Sequence, residues 1–222
     1  AVWGNHTAIL AGDFLLARAS EIAASLGTEI AGLLARTIGE LCEGQILELQ
    51  STYKPSRTEK SYEQSIAGKT ASLLSTACRI GGLTAGLERH TVDQLTTFGH
   101  TYGMAFQIVD DILDVIATED QLGKPAGNDL IEGVYTLPVL LALESDVGEQ
   151  LQELLGKELS TEGRDRALSL IRSTDAVEEA FARAQFWAQK AKLELESLPS
   201  SPATNALFAA TNHLLNRAQS AN

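Results

Sequence analysis

The chain has 222 residues, of which 44% are hydrophobic and 21% are charged, and its formal net charge at pH 7 is −12. Its length suits one large domain or two small ones, and its composition is typical of globular proteins with a substantial core. The acidic balance argues against nucleic-acid binding and against electrostatic docking on anionic membranes, because both depend on a clustered basic surface.

Hydrophobic residues recur with the period of an α-helix along almost the whole chain, and strict alternation of polar and apolar residues is missing. Nine helices are predicted, at 7–26, 28–51, 59–88, 91–117, 136–145, 147–156, 160–172, 174–197 and 202–218. Thr136 is expected to cap the helix that contains Pro138, and Ser201 followed by Pro202 predicts the start of the last helix. No repeat of fixed period divides the chain. The sequence therefore predicts one all-α domain over residues 1–222.

Cellular location is predicted from three features of the sequence. Ala1 is not a methionine and is not expected to be the natural start, and the segment after it lacks the pattern of a signal peptide. Cys42 and Cys78 lie far apart in helical surroundings, which indicates a reducing cytoplasm rather than a disulfide framework. No apolar run approaches the roughly 20 residues that a membrane-spanning helix needs, so stable membrane insertion is not expected.

Three carboxylates interrupt the apolar run of the fourth predicted helix. At about 100° per residue, its polar side chains fall within an arc of about 100°: Gln107, Asp110, Asp111 and Asp114. Gly103, one turn earlier, lies in the same arc and is expected to leave room beside it. Apolar residues occupy the rest of the circumference, whereas a surface helix has a broad face of mixed charge. The pattern predicts a helix that is buried on most sides, with one acidic stripe lining a wet cavity.

The chemistry of this stripe indicates a hard cation. Carboxylate oxygens without nearby histidine or cysteine favour Mg²⁺ over Zn²⁺, and the four histidines have no metal-ligand spacing. Carboxylates one turn apart cannot complete an octahedron, so waters and phosphate oxygens of a ligand are expected to fill the other positions. The alternative is a solvated polar stripe, which the apolar flanks disfavour. Asp110, Asp111 and Asp114 are therefore the predicted metal ligands.

Two lysines are candidates for contacting a phosphorylated ligand. Lys69, followed by Thr70, lies among small residues and has no acidic residue four positions away. Lys124 lies in a glycine-containing loop just past the aspartates. For both lysines the alternative is an ordinary side chain whose charged end reaches solvent.

Taken together, these motifs resemble those of the trans-type polyprenyl diphosphate synthases, which join isoprenyl units head to tail. The similar blocks are "AILAGDFLLARA", "CEGQILEL", "YEQSIAGKTASLL", "GMAFQIVDDILDV" and "GKPAGNDLIEGVYTLPVLLAL", in the order of the family. The family's first aspartate-rich motif and its arginine pair belong upstream of Ala1, and Val134 stands where many members have a lysine. The resemblance implies an isoprenoid-synthase-type helical bundle around a central apolar cavity, with its N-terminal helices missing.

The resemblance also implies an activity and its residues. The activity is the Mg²⁺-dependent condensation of isopentenyl diphosphate with an allylic diphosphate, giving a medium- or long-chain product from a homodimeric enzyme. The implied catalytic residues are Asp110, Asp111 and Lys69. The implied substrate contacts are Lys69, Thr70, Gln107 and Lys124. The fragment alone is expected to be inactive.

Two other functions stay open at this stage. A chain with half of the metal site could be a non-catalytic subunit that binds prenyl diphosphates or regulates a partner. A class I terpene cyclase has a similar fold, but its second motif is usually of an Asn/Ser/Glu type rather than D-D-x-x-D. Residues in the similar blocks that are assigned to packing or turns instead are Gly12, Asp13, Gln45 and Asp129.

Overall fold

The computed structural model describes residues 3–118 and 126–221, and the described residues form helices joined by short connections without any β-strand. In chain order the helices are α1 (Asn5–Ser25), α2 (Thr28–Gln50), α3 (Glu59–Ile66), α4 (Ser72–Thr84), α5 (Arg89–Ile116), α6 (Asn128–Glu132), α7 (Leu137–Leu143), α8 (Gly148–Leu154), α9 (Thr161–Arg172), α10 (Ala176–Glu196) and α11 (Pro202–Ala221). The predicted all-α class is confirmed. None of the described helices combines the length and the apolar character that a bilayer-spanning segment requires.

Two details differ from the predicted helices. The segment predicted as one helix over 59–88 is divided by a wider, π-helical turn at Ala67–Ala71, which joins α3 to α4. The five-residue helix α6 was not predicted, because one turn is too short for hydrophobic periodicity to detect.

Two side chains were predicted to cap helix starts, Thr136 and Ser201, and only Ser201 makes the capping hydrogen bond. The Ser201 hydroxyl accepts a hydrogen bond from the Thr204 backbone N–H at 3.1 Å, which fixes the start of α11. Thr136 does precede α7, but its side chain makes no capping hydrogen bond there.

Helix α5 is the centre of the molecule. Its buried side chains extend from Val92 to Val115, and α4 and α10 pack along it. The helix α10 presents a stripe of fully buried alanines to the core, at positions 180, 184, 188 and 191. Residues three or four apart lie on one face of a helix, so this stripe of small side chains allows α10 to approach α5 closely.

The carboxyl end of α5 is held by α9. The Arg172 guanidinium donates from Nε at 2.8 Å to the carbonyl oxygen of Val115, in the last turn of α5. Carbonyls in the last turn of a helix have no partner within the helix, so a cation there satisfies one of them. Arg172 therefore stabilises the helix end that carries the acidic stripe.

Glycines set the distances between the helices around the stripe. A Cβ atom on Gly44 of α2 would lie 2.5 Å from the backbone nitrogen of Lys69, and one on Gly103 would lie 2.6 Å from the Cα of Ala71. The expectation that Gly103 leaves room in the acidic arc is therefore wrong. Its missing side chain lets the π-helical turn pack directly against α5 instead.

Candidate functional site

Asp111 is the most enclosed member of the acidic stripe, with only 3% of its surface exposed. The Tyr62 hydroxyl of α3 donates to its Oδ2 at 2.6 Å, and the Gln107 amide donates to its Oδ1 at 2.8 Å. Both carboxylate oxygens are thus held, one by a neighbouring helix and one from the preceding turn of α5.

The electrostatic surroundings of Asp111 are unfavourable for a negative charge. Burial is the main cause that raises the pKa of its carboxyl group, to about 8, and the nearby charges of Asp129 and Asp110 act in the same direction. The hydrogen bonds from Tyr62 and Gln107 oppose this rise without cancelling it. Within the described residues, no lysine, arginine or histidine forms an ion pair with Asp110 or Asp111. A site of this kind is suited to a cation that the chain does not itself provide.

The other two aspartates have different surroundings. Asp110 is exposed, whereas Asp114 is buried with 5% of its surface accessible. The Oδ2 atom of Asp114 accepts a hydrogen bond from the backbone N–H of Asp129 at 3.2 Å, and its carbonyl oxygen accepts one from Gly127 at 2.7 Å. Asp114 therefore anchors the start of α6 to the end of α5. The three carboxylates lie on one helix face, as predicted, but only Asp110 is openly accessible.

The π-helical turn brings the two residues of the Lys-Thr motif to this site. The Thr70 hydroxyl donates to Oε1 of Gln107 at 2.7 Å, so Thr70, Gln107 and Asp111 form a continuous hydrogen-bonded chain. The Lys69 ammonium group donates to Oε1 of Glu48 on α2 at 2.7 Å, and 38% of its side chain is exposed. Lys69 thus has an acidic partner on another helix, although no acidic residue lies four positions away from it in the sequence.

The predictions for Lys124 and Asp129, two residues that follow α5 in the sequence, have different outcomes. Lys124 lies outside the described residues, so its role stays a prediction. Asp129, which the sequence assigned to turn geometry, is half-buried beside the stripe, and its charge contributes to the raised pKa of Asp111. It also shapes the turn, since its carbonyl oxygen accepts from Val134 N–H at 2.8 Å.

The donor set fits a hard cation that is only partly coordinated by protein. The stripe supplies carboxylate oxygens alone, which are the ligands that Mg²⁺ prefers. Among the described residues, however, no three histidine, cysteine or carboxylate side chains are grouped closely enough to hold a metal ion by themselves. The arrangement therefore suits an ion whose remaining ligands are water or substrate oxygens. The assignment of Asp110, Asp111 and Asp114 as ligands stays a prediction.

A groove of about 480 Å³ lies between α2, α4 and α5. Its lining includes Glu40, Ser72, Arg79 and His100, but none of the six candidate site residues that the structure describes. Cavity size alone therefore does not identify the aspartate site.

Sequence reasoning missed three side chains of the site. They are Glu48, which binds Lys69; Tyr62, which binds Asp111; and Arg57, whose guanidinium carbon lies 5.5 Å from the centroid of the Tyr62 ring. Glu48 and Tyr62 occur within the quoted blocks, "CEGQILEL" and "YEQSIAGKTASLL", so the resemblance pointed to their neighbourhood. The pairing itself depends on how α2 and α3 pack against α5.

Comparisons with known proteins identify the family of the chain. The family model described as polyprenyl synthetase matches residues 1–171. The chain is 40% identical over 208 residues to heptaprenyl diphosphate synthase component 2 of Geobacillus stearothermophilus, covering 93% of the chain and 65% of that protein. It is 37% identical over 220 residues to nonaprenyl diphosphate synthase of Mycobacterium tuberculosis, covering 98% of the chain and 66% of that protein. The chain thus spans slightly less than two thirds of the length of these relatives.

Solved structures give the same result. The polyprenyl synthase of Caulobacter crescentus, crystallised with calcium and isoprenyl diphosphate, superimposes with a TM-score of 0.91 at 32% identity. That match covers 96% of the chain and 67% of the crystallised protein. Heptaprenyl diphosphate synthase of Staphylococcus aureus superimposes with a TM-score of 0.90 at 31% identity, over 96% of the chain and 68% of that protein. By its sequence, its all-α isoprenoid-synthase fold and the order of its motifs, the chain belongs to the polyprenyl synthetase family.

Proposed function

We propose that the protein containing this chain condenses isopentenyl diphosphate with an allylic diphosphate, and that the described helices carry the metal-binding half of its active site. The observation that carries this proposal is the hydrogen-bonded chain from Thr70 through Gln107 to Asp111, next to the exposed Asp110. Asp110 and Asp111 form no ion pair with a lysine, arginine or histidine in the described part of the chain. Carboxyl groups without a basic partner, beside hydroxyl and amide groups, suit a diphosphate that binds through a divalent cation.

Asp110, Asp111 and Asp114 would hold Mg²⁺, directly or through water. A divalent ion bound there supplies Lewis-acid stabilisation of the charge that develops on a leaving diphosphate. Calcium accompanies isoprenyl diphosphate in the Caulobacter crescentus relative, which supports a divalent cation as the cofactor class. The choice of Mg²⁺ follows from the family resemblance and from the oxygen-only donor set.

The side chains of the π-helical turn act on the same diphosphate. The Lys69 ammonium carries three donors, and reorientation from Glu48 to a phosphate oxygen would bring its positive charge to the leaving group. The Thr70 hydroxyl and the Gln107 amide lie beside it as further polar contacts. Lys124 is proposed as the second cationic contact on the basis of the resemblance.

The proposed reaction is an electrophilic alkylation. The allylic C–O bond breaks, and the diphosphate leaves with the electron pair. The double bond of isopentenyl diphosphate attacks the allylic cation, and loss of a proton from the adduct restores a double bond. The contribution of Lys69 and Thr70 is to stabilise negative charge on the diphosphate as the bond breaks. The heptaprenyl and nonaprenyl products in the relatives' names support a medium- or long-chain product for this protein.

The natural-length protein, supplied with an allylic diphosphate, isopentenyl diphosphate and Mg²⁺, is expected to release inorganic diphosphate. Chelation of the metal with EDTA is expected to stop the release, and added Mg²⁺ is expected to restore it, since the leaving group needs its charge neutralised. Coupled diphosphate detection measures the rate, and mass spectrometry of the extracted prenyl products gives their length. Metal-independent release at the same rate would contradict the proposal.

The alternative is a non-catalytic subunit. One relative is named as component 2 of a heptaprenyl diphosphate synthase, which makes a second protein component a concrete possibility to test. The alternative predicts that the purified protein binds prenyl diphosphates but releases no diphosphate until another protein component is added. Catalysis by the purified protein alone would exclude the requirement.

A reducing compartment, expected from Cys42 and Cys78, remains part of the proposal, and both cysteines are free thiols.

Helix α1 supports the proposed homodimer. Its exposed apolar residues include Ile9, Leu10, Phe14, Leu15 and Leu16, each between 44% and 68% exposed. At about 100° per residue these side chains point to several sides of the helix rather than to one. A helix that is apolar on several sides is normally buried, and within the described residues α1 packs mainly on α2. We propose that a second copy of the chain covers α1.

Charged substitutions on α1 are expected to convert the natural-length protein from dimer to monomer. Leu10→Glu combined with Phe14→Glu places two charges in an apolar contact, and burying an unpaired charge costs more than the contact contributes. Light scattering coupled to gel filtration measures the mass. The matched control is Leu193→Glu on α10, an apolar residue that is 53% exposed and outside α1. A wild-type protein that is only monomeric, or a double variant that stays dimeric, would contradict the homodimer.

A further inference from the structure

Tyr62 is a buried tyrosine whose hydroxyl group is directed at a carboxylate. The residue is 1% exposed, and its hydroxyl donates to Oδ2 of Asp111 at 2.6 Å, across 49 positions of sequence. A phenylalanine would provide the same apolar ring, and a buried hydroxyl is costly unless it makes a hydrogen bond. The hydroxyl therefore has a specific partner, and that partner is the buried member of the acidic stripe.

Arg57 lies over the face of the Tyr62 ring. Its guanidinium carbon lies 5.5 Å from the centroid of the Tyr62 ring, and its Nη1 donates to the carbonyl oxygen of Tyr135 at 3.0 Å. The residue is 8% exposed, and its Nε and Nη2 atoms have no hydrogen-bond partner among the described residues. A cation over the face of an aromatic ring is attracted to it, so the guanidinium fixes the position of the ring.

The carboxylate of Asp111 is thereby held from two directions. Gln107 donates to Oδ1 from within α5, and Tyr62 donates to Oδ2 from α3. Rotation of the carboxylate about its Cβ–Cγ bond would break one or both hydrogen bonds. Partners of this kind orient a ligating group before the ion arrives, and in metal sites their loss lowers affinity.

From these contacts we propose that Tyr62, supported by Arg57, is a positioning residue that sets the orientation of Asp111 for the bound cation. The inference rests on the proposed function, because it assumes that Asp111 faces a metal–diphosphate complex. It adds a residue from α3 to the site, outside the aspartate and Lys-Thr motifs. Tyr62 acts through Asp111 and itself touches neither the ion nor the substrate.

The test uses Mn²⁺ as a paramagnetic probe, titrated by electron paramagnetic resonance into the natural-length protein with inorganic diphosphate present. Tyr62→Phe, which removes only the hydroxyl, is expected to weaken Mn²⁺ binding about tenfold, as for other outer partners of metal ligands. The matched control is Tyr135→Phe. Tyr135 is also fully buried, and its hydroxyl accepts a hydrogen bond from the Gly156 N–H at 2.6 Å, away from the aspartates. The control is expected to bind Mn²⁺ like the wild type, although both variants lose a buried hydrogen bond.

A second measurement separates positioning from general loosening. If Tyr62 acts through Asp111, then adding Tyr62→Phe to Asp111→Asn should weaken Mn²⁺ binding far less than it weakens the wild type. Equal Mn²⁺ affinity of Tyr62→Phe and wild type, equal loss in both tyrosine variants, or a full additional loss in the Asp111→Asn background would each overturn the inference. A wild-type protein that binds no Mn²⁺ with diphosphate would instead overturn the proposed function on which the inference rests.

Discussion

Replacing Asp110 and Asp111 together by alanine is expected to lower kcat/KM of the natural-length enzyme by at least about 10³-fold, because transition-state charge stabilisation is lost at two positions. A factor of that size corresponds to about 4 kcal/mol in the activation free energy. Asp110 is the accessible carboxylate of the stripe, and Asp111 is the buried one whose orientation two hydrogen bonds hold. In the proposed site, their removal leaves no anionic pair to bind the cation on that side of the leaving diphosphate. Steady-state diphosphate release measures the effect.

Two further variants separate the loss of charge from other effects of the substitution. The pair Asp110→Asn and Asp111→Asn keeps the side-chain volume and a hydrogen-bonding oxygen while removing both charges, so a similar loss assigns the effect to charge. Asp146→Asn, at an exposed position in the connection between α7 and α8, is expected to retain full activity. Retained activity in the double alanine variant, with the fold intact by circular dichroism, would count decisively against the metal-binding role of the stripe.

A single methyl group at Gly44 is expected to have the largest effect on stability. The added Cβ would lie 2.5 Å from the Lys69 backbone nitrogen and 2.7 Å from the Ser65 carbonyl oxygen. Backbone atoms cannot swing aside, so α2 and the π-helical turn must separate. Overpacking of this kind typically costs 1–3 kcal/mol, whereas the helix propensity of alanine returns about 1 kcal/mol. With contacts this short, we expect Gly44→Ala to lower the free energy of unfolding by about 2 kcal/mol, measured by urea denaturation.

The control lies in the same helix. A Cβ on Gly39 would meet no atom within 4 Å, and this glycine is exposed on α2. Gly39→Ala is therefore expected to raise the free energy of unfolding by up to about 1 kcal/mol, through helix propensity alone. The opposite signs of the two substitutions test the close approach of the helices. Stabilisation by Gly44→Ala would show that α2 does not lie against the π-helical turn.

The sequence by itself determined the fold class and the face on which the aspartates lie. Hydrophobic periodicity predicted a helix over 91–117, and the structure has α5 at Arg89–Ile116. This prediction succeeded because the repeat that buries one side of a helix involves residues three and four positions apart. The order of short motifs likewise identified the family, since those motifs are contiguous in sequence.

The tertiary structure alone decided how the acidic side chains differ. The helical wheel placed Asp110 and Asp111 in one arc, yet the first is exposed and the second is buried beneath Tyr62. The partner of Lys69 is Glu48, which precedes it by 21 positions and lies on α2. Periodicity describes neighbours within one helix, whereas burial, ion pairing and pKa depend on helices that are distant in sequence and meet only when the chain packs. For this reason the sequence predicted the helix that bears the acidic stripe, and the packing of α2 and α3 against α5 set the environment of each charge.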